Sequence, residues 1–189
     1  MTSTTATTTL TPAQLTGDYT IDTAHSRLGF TARHAMVTKV RGSFEEFEGS
    51  AHLDFEDPTK STAKVTFAMS SINTQQGQRD DHLRTSDFFD VSNYPTGTFT
   101  STAVKKVDDE TYELTGDLTL RGVTKPVTIT WESTGIARDP YGNLRAGFEG
   151  KAVLSRKDFG IEYNAALETG GVLISDKINL EFDVSAIKS

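Results

Sequence analysis

Strict alternation of apolar and polar side chains runs through about eight separate segments of this chain. Successive residues of a β-strand point to opposite faces, so each segment predicts a strand with one dry and one wet face. Such strands are typical of antiparallel sheets, and turn signals at 108–109 and 141–143 predict hairpins between them. The pattern predicts an all-β domain, either a closed barrel or a sandwich. The predicted strands lie near 26–34, 40–55, 65–69, 99–103, 112–120, 127–131, 144–154 and 178–184.

Three places depart from this alternation. At Glu45 and Glu46 the apolar phase slips, which predicts a β-bulge. Residues 71–95 lack alternation, and this longest insertion predicts a short helix that acts as a lid or plug. Near the N-terminus, Thr11 and Gln14 flank a proline in the pattern of a capping box, which predicts one helical turn.

Length and composition restrict the classes of protein that this chain can belong to. Its 189 residues predict one domain over 17–189, after a flexible Thr-rich tail over 1–16. The chain has no cysteine, which excludes disulfides, thiolate metal sites and cysteine nucleophiles. A net charge of −7 argues against nucleic acid as a partner. No apolar run approaches the roughly 20 residues of a membrane-spanning helix, so we expect no membrane span.

The first residues of the chain bear on its location. They lack both the basic start and the apolar stretch of a secretory signal, so we expect a cytoplasmic protein. A homodimer is compatible with the sequence.

The face predicted to point inward combines large and small side chains. Many small residues leave volume that the wall does not fill, and a cavity formed in this way would favour an apolar ligand. Small residues also occur where strands of a filled barrel cross closely, so a packed domain without a ligand stays open. The large residues are Phe30, Phe44, Phe67, Phe99, Trp131 and Phe148, and the small ones are Gly42, Gly49, Ala51, Ser101, Ala103, Gly116, Gly150 and Ala152.

Polar residues with catalytic potential are few. His25, His34, Asp80 and His82 offer the groups that a hydrolytic or metal-dependent enzyme would use. No metal-binding spacing such as H-E-x-x-H occurs, and nucleophile-elbow and phosphate-loop motifs are missing from the sequence. We favour a structural role, in which these groups cap the helix and tie the insertion to the barrel by hydrogen bonds. Contact with a ligand head group is the second alternative. We expect no enzyme activity, no catalytic residues and no metal.

Several short motifs occur in a fixed order along the chain. They are YTIDTAHS (19–26), VRGSF (40–44), SINT (71–74), Arg79-Asp80, His82-Leu83, DFFD (87–90), GDLTLRGVTKPV (116–127) and RKDFGI (156–161). This ordered set resembles the YceI-like family of lipocalin-like, polyisoprenoid-binding proteins, and the similarity extends over about residues 17–185. The chain differs at Tyr19, where the family usually has Trp, and at Arg121, where His is frequent before glycine.

This resemblance implies an extended antiparallel eight-stranded barrel whose apolar pore holds a long isoprenoid lipid, such as the tail of a quinone. It implies carriage or storage of that lipid, with no cofactor besides it. It also implies that His34, Arg79 and His82 lie near polar groups at one end of the pore. The implied pore lining is Phe30, Phe44, Phe67, Met69, Phe88, Phe89, Phe99, Leu118, Leu120, Phe148 and Ile161.

Overall fold

Eleven β-segments and two short helices make up the fold in a computed structural model that describes residues 9–189. The helices are α1 (Pro12–Leu15) and α2 (Gly77–Leu83). The β-segments are β1 (Gly17–Ile21), β2 (Arg27–His34), β3 (Thr38–Phe44), β4 (Phe47–Leu53), β5 (Thr62–Ala68), β6 (Ile72–Asn73), β7 (Thr96–Lys106), β8 (Thr111–Leu120), β9 (Val123–Arg138), β10 (Leu144–Ser155) and β11 (Lys177–Lys188).

These segments form one closed antiparallel sheet. β1 and β2 follow each other along the same edge of β11, β4 and β3 pair with β1 and β2, and β5 and β6 pair with β4 and β3. Each of these three pairs is therefore one long strand that is interrupted once. Together with β7 to β11 they build an eight-stranded barrel, closed where β1 pairs with β11. The predicted antiparallel eight-stranded barrel is confirmed, and the sandwich is excluded.

The three interruptions lie side by side in neighbouring strands. The backbone N–H of Glu45 donates to the carbonyl of Ser71 at 3.2 Å, and that of Ala68 donates to Glu46 at 2.9 Å. The predicted phase slip at Glu45 and Glu46 is present, but the prediction of a β-bulge there is wrong. The two residues separate β3 from β4, because the adjacent strand is broken at the same level by a 3₁₀ turn over Met69–Ser71.

A β-bulge occurs instead in β7. The register with β8 shifts between Ser101 and Ala103, which reverses the alternation beyond that point. The prediction that Ala103 faces inward is therefore wrong: its side chain is exposed, and Val104 faces the interior. A second register shift lies between β9 and β10 at Gly147 and Phe148.

The two ends of the barrel differ in what closes them. One end, called here the terminus end, carries α1, the C-terminus and the connections 54–61, 107–110 and 139–143. The other, called here the helix end, carries α2, the turn 35–37 and the long connections 84–95 and 156–176. The predicted helix in the insertion and the predicted hairpins are thus confirmed.

The predicted helical turn near the N-terminus is also confirmed. Thr11 and Gln14 form a complete capping box around α1. The Tyr19 hydroxyl donates to the carbonyl of Leu15 at 2.6 Å, and burial raises the pKa of this phenol. The Thr16 hydroxyl accepts from the backbone of Phe55 at 2.9 Å, so the turn is attached to the barrel. Most of the predicted flexible tail, residues 1–8, lies outside the described residues, and the domain boundary at 16/17 stays a prediction.

The buried apolar residues lie along the barrel wall and at the helix end. Met69, Ile72 and Phe159 are almost fully buried, and a small separate cluster of Tyr19 and two alanines of β10 and β11 packs at the terminus end. Within residues 9–189, no helix has the length and apolar character needed to cross a membrane.

Candidate functional site

A cavity of about 340 Å³ extends inside the barrel from one end to the other. Its lining begins at Asp54 and Pro58 at the terminus end and reaches Phe88 and Arg156 at the helix end. Almost all of the side chains between these ends are apolar. The volume lies within the range of roughly 300–1,000 Å³ that is common for small-molecule sites.

Strand alternation places the lining side chains, as β11 shows most simply. Every second residue of this strand lines the cavity: Ile178, Leu180, Phe182 and Val184. Lys177, the first residue of the strand, has the opposite parity and is exposed. Of the pore lining implied by the family resemblance, every residue lines the cavity except Met69. Met69 begins the 3₁₀ turn and is buried in the core instead, because the turn takes it off the alternating wall. The ten residues of the implied set that line the cavity are Phe30, Phe44, Phe67, Phe88, Phe89, Phe99, Leu118, Leu120, Phe148 and Ile161.

Four glycines of the wall each face an aromatic ring. A Cβ atom built on any of them would overlap that ring, so a larger residue would displace it. The pairs are Gly42 with Phe30, Gly97 with Phe67, Gly116 with Phe99, and Gly150 with Trp131.

The prediction that small inward residues leave unfilled volume is therefore wrong at Gly42, Gly116 and Gly150. The space at all four glycines is occupied by rings, three of which lie directly opposite their glycine in the sheet register. Because the rings lie against the wall, they do not cross the lumen, and the centre of the barrel stays open. The glycines open the cavity indirectly.

Two charged side chains belong to the lining within the described part of the chain, one at each end. The carboxylate of Asp54 accepts from the backbone N–H groups of Glu56 and Asp57, at 2.9 and 2.7 Å. Arg156 is buried at the helix end and is described next. The middle of the cavity therefore offers a guest no formal charge.

Arg156 is bound almost entirely by backbone carbonyl groups. Its guanidinium donates to Ser175 and Ile161, both at 2.9 Å, and to Tyr163 at 2.8 Å. Burial lowers the pKa of this guanidinium, and the nearby charge of Asp176 partly offsets the effect. By these bonds the side chain holds the connection 156–176 against the end of the barrel.

An aromatic cluster covers the cavity at the same end. His82 packs edge-on against Phe88 and Tyr163, with ring centroids 5.0 Å apart in both cases. Its Nε2 atom lies 2.8 Å from a carboxylate oxygen of Asp87. Arg121 donates to the carbonyl of Phe88 at 3.1 Å. This cluster joins α2 to both long connections.

None of the three polar candidates implied for the pore end belongs to the cavity lining. His34 is exposed at the end of β2, and His82 lies outside Phe88. Arg79 donates to the hydroxyl and the carbonyl of Thr74, both at 2.7 Å, and the buried Asp80 accepts from the same residue. Arg79 and Asp80 therefore fix α2 to the strand before it.

The four residues considered for an enzyme site are not brought together. His25 bonds to Asp22 at the terminus end at 2.7 Å, whereas His34, Asp80 and His82 lie at the helix end with the separate surroundings given above. Among the described residues there is no group of three or more His, Asp or Glu side chains able to hold a metal ion.

Trp131 is the single tryptophan of the chain and forms part of the cavity wall. Its indole stacks on Phe182 with ring centroids 5.7 Å apart. Its Nε1 atom is buried and has no hydrogen-bond partner, the one such side-chain atom in residues 9–189. The position makes its fluorescence a reporter of the cavity.

Sequence reasoning missed the charged residue that lines the helix end. Arg156 continues the inward alternation of Leu144 to Leu154, two residues after the last of them. The inward position in this alternation was the signal that could have identified Arg156 as a lining residue. Its charge distinguished it from the apolar residues of the same face.

The sequence model of the YceI-like domain matches residues 19–186. A UPF0312 protein of Pseudomonas aeruginosa is 45% identical over 150 residues, 78% of either chain. The chain belongs to the YceI-like family.

Solved structures agree with this assignment. A YceI protein of Campylobacter jejuni is 31% identical, with a TM-score of 0.73 over 83% of this chain and 90% of that one. A polyisoprenoid-binding domain of Saccharophagus degradans has the same fold, with a TM-score of 0.68 and 16% identity over 90% of this chain and 98% of that one.

Proposed function

We propose that this YceI-like protein binds a long apolar lipid, a polyisoprenoid or the isoprenoid tail of a quinone, inside its barrel. The observation that carries the proposal is the cavity, which is lined by apolar side chains from one end of the barrel to the other. Each methylene group that leaves water for such a lining contributes about 0.8 kcal/mol. A long tail contains enough of these groups to offset the entropy lost when a flexible chain is ordered.

The charges at the two ends support a ligand recognised by its tail. Asp54 and Arg156 already have hydrogen-bond partners within the protein. Neither therefore requires a ligand group of opposite charge. Binding energy comes from the buried tail, and a head group lies at an end of the cavity.

The relatives support the same class of ligand. The domain of Saccharophagus degradans that shares this fold binds polyisoprenoids. Carriage or storage suits the cavity better than turnover, because its wall is apolar and the candidate acid and base groups lie outside it. The protein thus shields an apolar tail from water and releases it unchanged.

Fluorescence of Trp131 tests the proposal, since this residue lies in the cavity wall and is the single tryptophan. Quinone with an isoprenoid tail, delivered from cyclodextrin, is expected to quench the fluorescence saturably. The matching quinone without a tail should bind at least about tenfold more weakly, a loss of 1.4 kcal/mol or more. Equal affinity for both quinones, or no saturable change with either, would contradict the proposal.

A matched pair of variants on β5 locates the binding site. Ala63 lines the cavity, and its neighbour Lys64 is exposed on the outside of the same strand. Ala63→Phe is expected to weaken binding at least about tenfold by occupying the lumen, while Lys64→Phe leaves it unchanged. Circular dichroism confirms that both variants fold, and Ala51→Leu serves as a milder change if Ala63→Phe does not.

A further inference from the structure

A group of exposed basic residues lies on the outer surface of the barrel at the helix end. In the strand register, Arg33 of β2 lies directly opposite Lys39 of β3, and Arg41 follows Lys39 two residues later in β3. Lys177, at the start of β11, lies on the other side of β2. We call these four residues the basic rim; within residues 9–189 none of them forms an ion pair.

The basic rim contrasts with the charge of the whole protein. Residues 27–44, which form the β2–β3 hairpin, contain four Arg or Lys residues and no Asp or Glu, although the chain carries a net charge of −7. Like charges that face each other across a strand pair are destabilising. Because the hairpin contains no acidic residue to neutralise them, the basic rim presents a concentrated positive charge to its surroundings.

Exposed apolar side chains project beside the basic rim. Met36 and Val37 in the turn 35–37 are 61% and 74% exposed, and Val172 in the facing connection is 42% exposed. The two loops are joined, since the backbone N–H of Ala35 donates to the carbonyl of Leu173 at 2.7 Å. We call Met36, Val37 and Val172 the apolar tip.

The turn does not require these apolar residues for its own conformation. Ala35 and Met36 have φ angles of 49° and 66°, a left-handed region in which glycine or asparagine is much less strained. Tight hairpins usually place those residues there. The turn conformation therefore does not account for a large apolar side chain at Met36, which lies beside Gly171 of the facing connection and is otherwise exposed.

The apolar tip adjoins the cavity. Ala32, three residues before the turn, lines it, and so does Ile174, two residues after Val172. A β-bridge connects His34 to Ile174 and holds the two sides together. A molecule bound at the apolar tip would lie next to the wall of the cavity at the helix end.

From this juxtaposition we infer that the helix end docks on an anionic lipid bilayer, with the basic rim against the head groups and the apolar tip among the first methylene groups. Basic side chains around a small apolar projection suit this surface, because each supplies one of the two attractions that hold a peripheral protein on a membrane. This inference rests on the proposed function, because docking would allow the bound lipid to pass between the bilayer and the cavity at this end.

Co-flotation of the full protein with vesicles tests the inference. We expect binding to vesicles of equal parts phosphatidylcholine and phosphatidylglycerol, weaker binding in high salt, and little binding to phosphatidylcholine alone. The variant Lys39→Gln/Arg41→Gln/Lys177→Gln removes three charges of the basic rim and should bind at least about tenfold more weakly. Arg33 is left in place because it also donates to the carbonyl of Val37 in the turn.

A second variant tests the apolar tip, and a third provides the control. Met36→Ser/Val37→Ser should weaken vesicle binding at least about tenfold, by removing apolar area from the bilayer. Val107→Ser/Tyr141→Ser removes two exposed apolar side chains from the terminus end and should bind as the unaltered protein does. Absence of vesicle binding, or equal binding by all variants, would overturn the inference.

The outcome can be separated from that of the proposed function. Quinone delivered from cyclodextrin reaches the cavity without a bilayer, so the variants of the basic rim and the apolar tip should quench Trp131 fluorescence as the unaltered protein does. If quinone binds in this way but vesicles do not, the docking inference fails and the proposed function stands.

Discussion

Each end of the barrel is organised around one arginine, but the two arginines have different partners. At the terminus end, Arg145 contacts the carboxylates of Asp22 at 2.6 Å and Asp139 at 2.8 Å. At the helix end, Arg156 is bound by the carbonyl groups of the connection 156–176. Ion pairs to carboxylates depend on pH, whereas hydrogen bonds to carbonyl groups do not change over the range in which carboxylates titrate.

This difference assigns separate tasks to the two ends. The terminus end is closed by short connections, by α1 and by the ion pairs of Arg145. The helix end is closed by two long connections, which are held by Arg156 and the aromatic cluster of His82, Phe88 and Tyr163. Long connections open more readily than short hairpins within a sheet. The helix end is therefore where we expect a lipid to enter and leave.

Removing Arg156 is expected to have the largest effect on stability. Arg156→Ala leaves buried carbonyl groups of the helix end without donors, and should lower the free energy of unfolding by about 3 kcal/mol. Denaturant unfolding measures the change. The adjacent Lys157→Ala, at an exposed position, is the control and should change it by less than about 0.5 kcal/mol. A loss of the same size in both variants would show that Arg156 does not hold this end.

Removing Arg145 tests the pH dependence of the terminus end. Hydrogen bonds from Arg145 and then His25 hold the pKa of Asp22 below its usual value. For Asp139, desolvation would raise the pKa, but hydrogen bonds from Asn143, Arg145 and backbone groups outweigh it and hold the pKa far below the usual range. Because these carboxylates titrate lower in the folded protein, their stabilisation is complete above about pH 4 and is lost as the pH falls through the folded values.

We therefore expect Arg145→Gln to lower the unfolding midpoint at pH 7 and to make it less sensitive to acid below about pH 4. Thermal unfolding followed by circular dichroism across this range gives both quantities. Arg156→Ala should keep the acid sensitivity of the unaltered protein. If Arg145→Gln were as acid-sensitive as the unaltered protein, the ion pairs would not be the cause.

The smallest effect is expected for the His–Asp pair at the helix end. His82 and Asp87 are both about half exposed, and the Asp87 carboxylate has no arginine partner, unlike that of Asp22. Asp87→Asn should change the free energy of unfolding by less than about 1 kcal/mol. Asp22→Asn, measured by the same denaturant titration, should lower the free energy of unfolding by more than Asp87→Asn does. The reverse order would contradict the comparison between the two ends.

The family resemblance implied the barrel and its lining, whereas alternation alone left a barrel or a sandwich open. Alternation did predict the strands and their inward faces, because parity along a strand is a local property. It placed the lining residues of β11 correctly, from Ile178 to Val184. It failed at Ala103 and Met69, where a bulge and a 3₁₀ turn take the chain out of register. Neither interruption has a strong local signal, since both depend on the neighbouring strand.

The closure of the two ends was beyond prediction from local pattern. Arg145 meets Asp22 across 123 residues of sequence, and Arg121 meets Phe88 across 33. Such contacts follow from the order and stagger of the strands around the barrel. The glycines show the same limit, because what fills the space at Gly42 or Gly150 is a ring on the adjacent strand.

Native mass spectrometry of the freshly purified protein tests the central claim most directly, because it detects a guest without assuming its identity. The cavity predicts a discrete added mass that organic extraction recovers as an isoprenoid lipid and that Ala63→Phe reduces while Lys64→Phe does not. A protein that carries only its own mass, and that acquires none after incubation with an isoprenoid quinone, would contradict it.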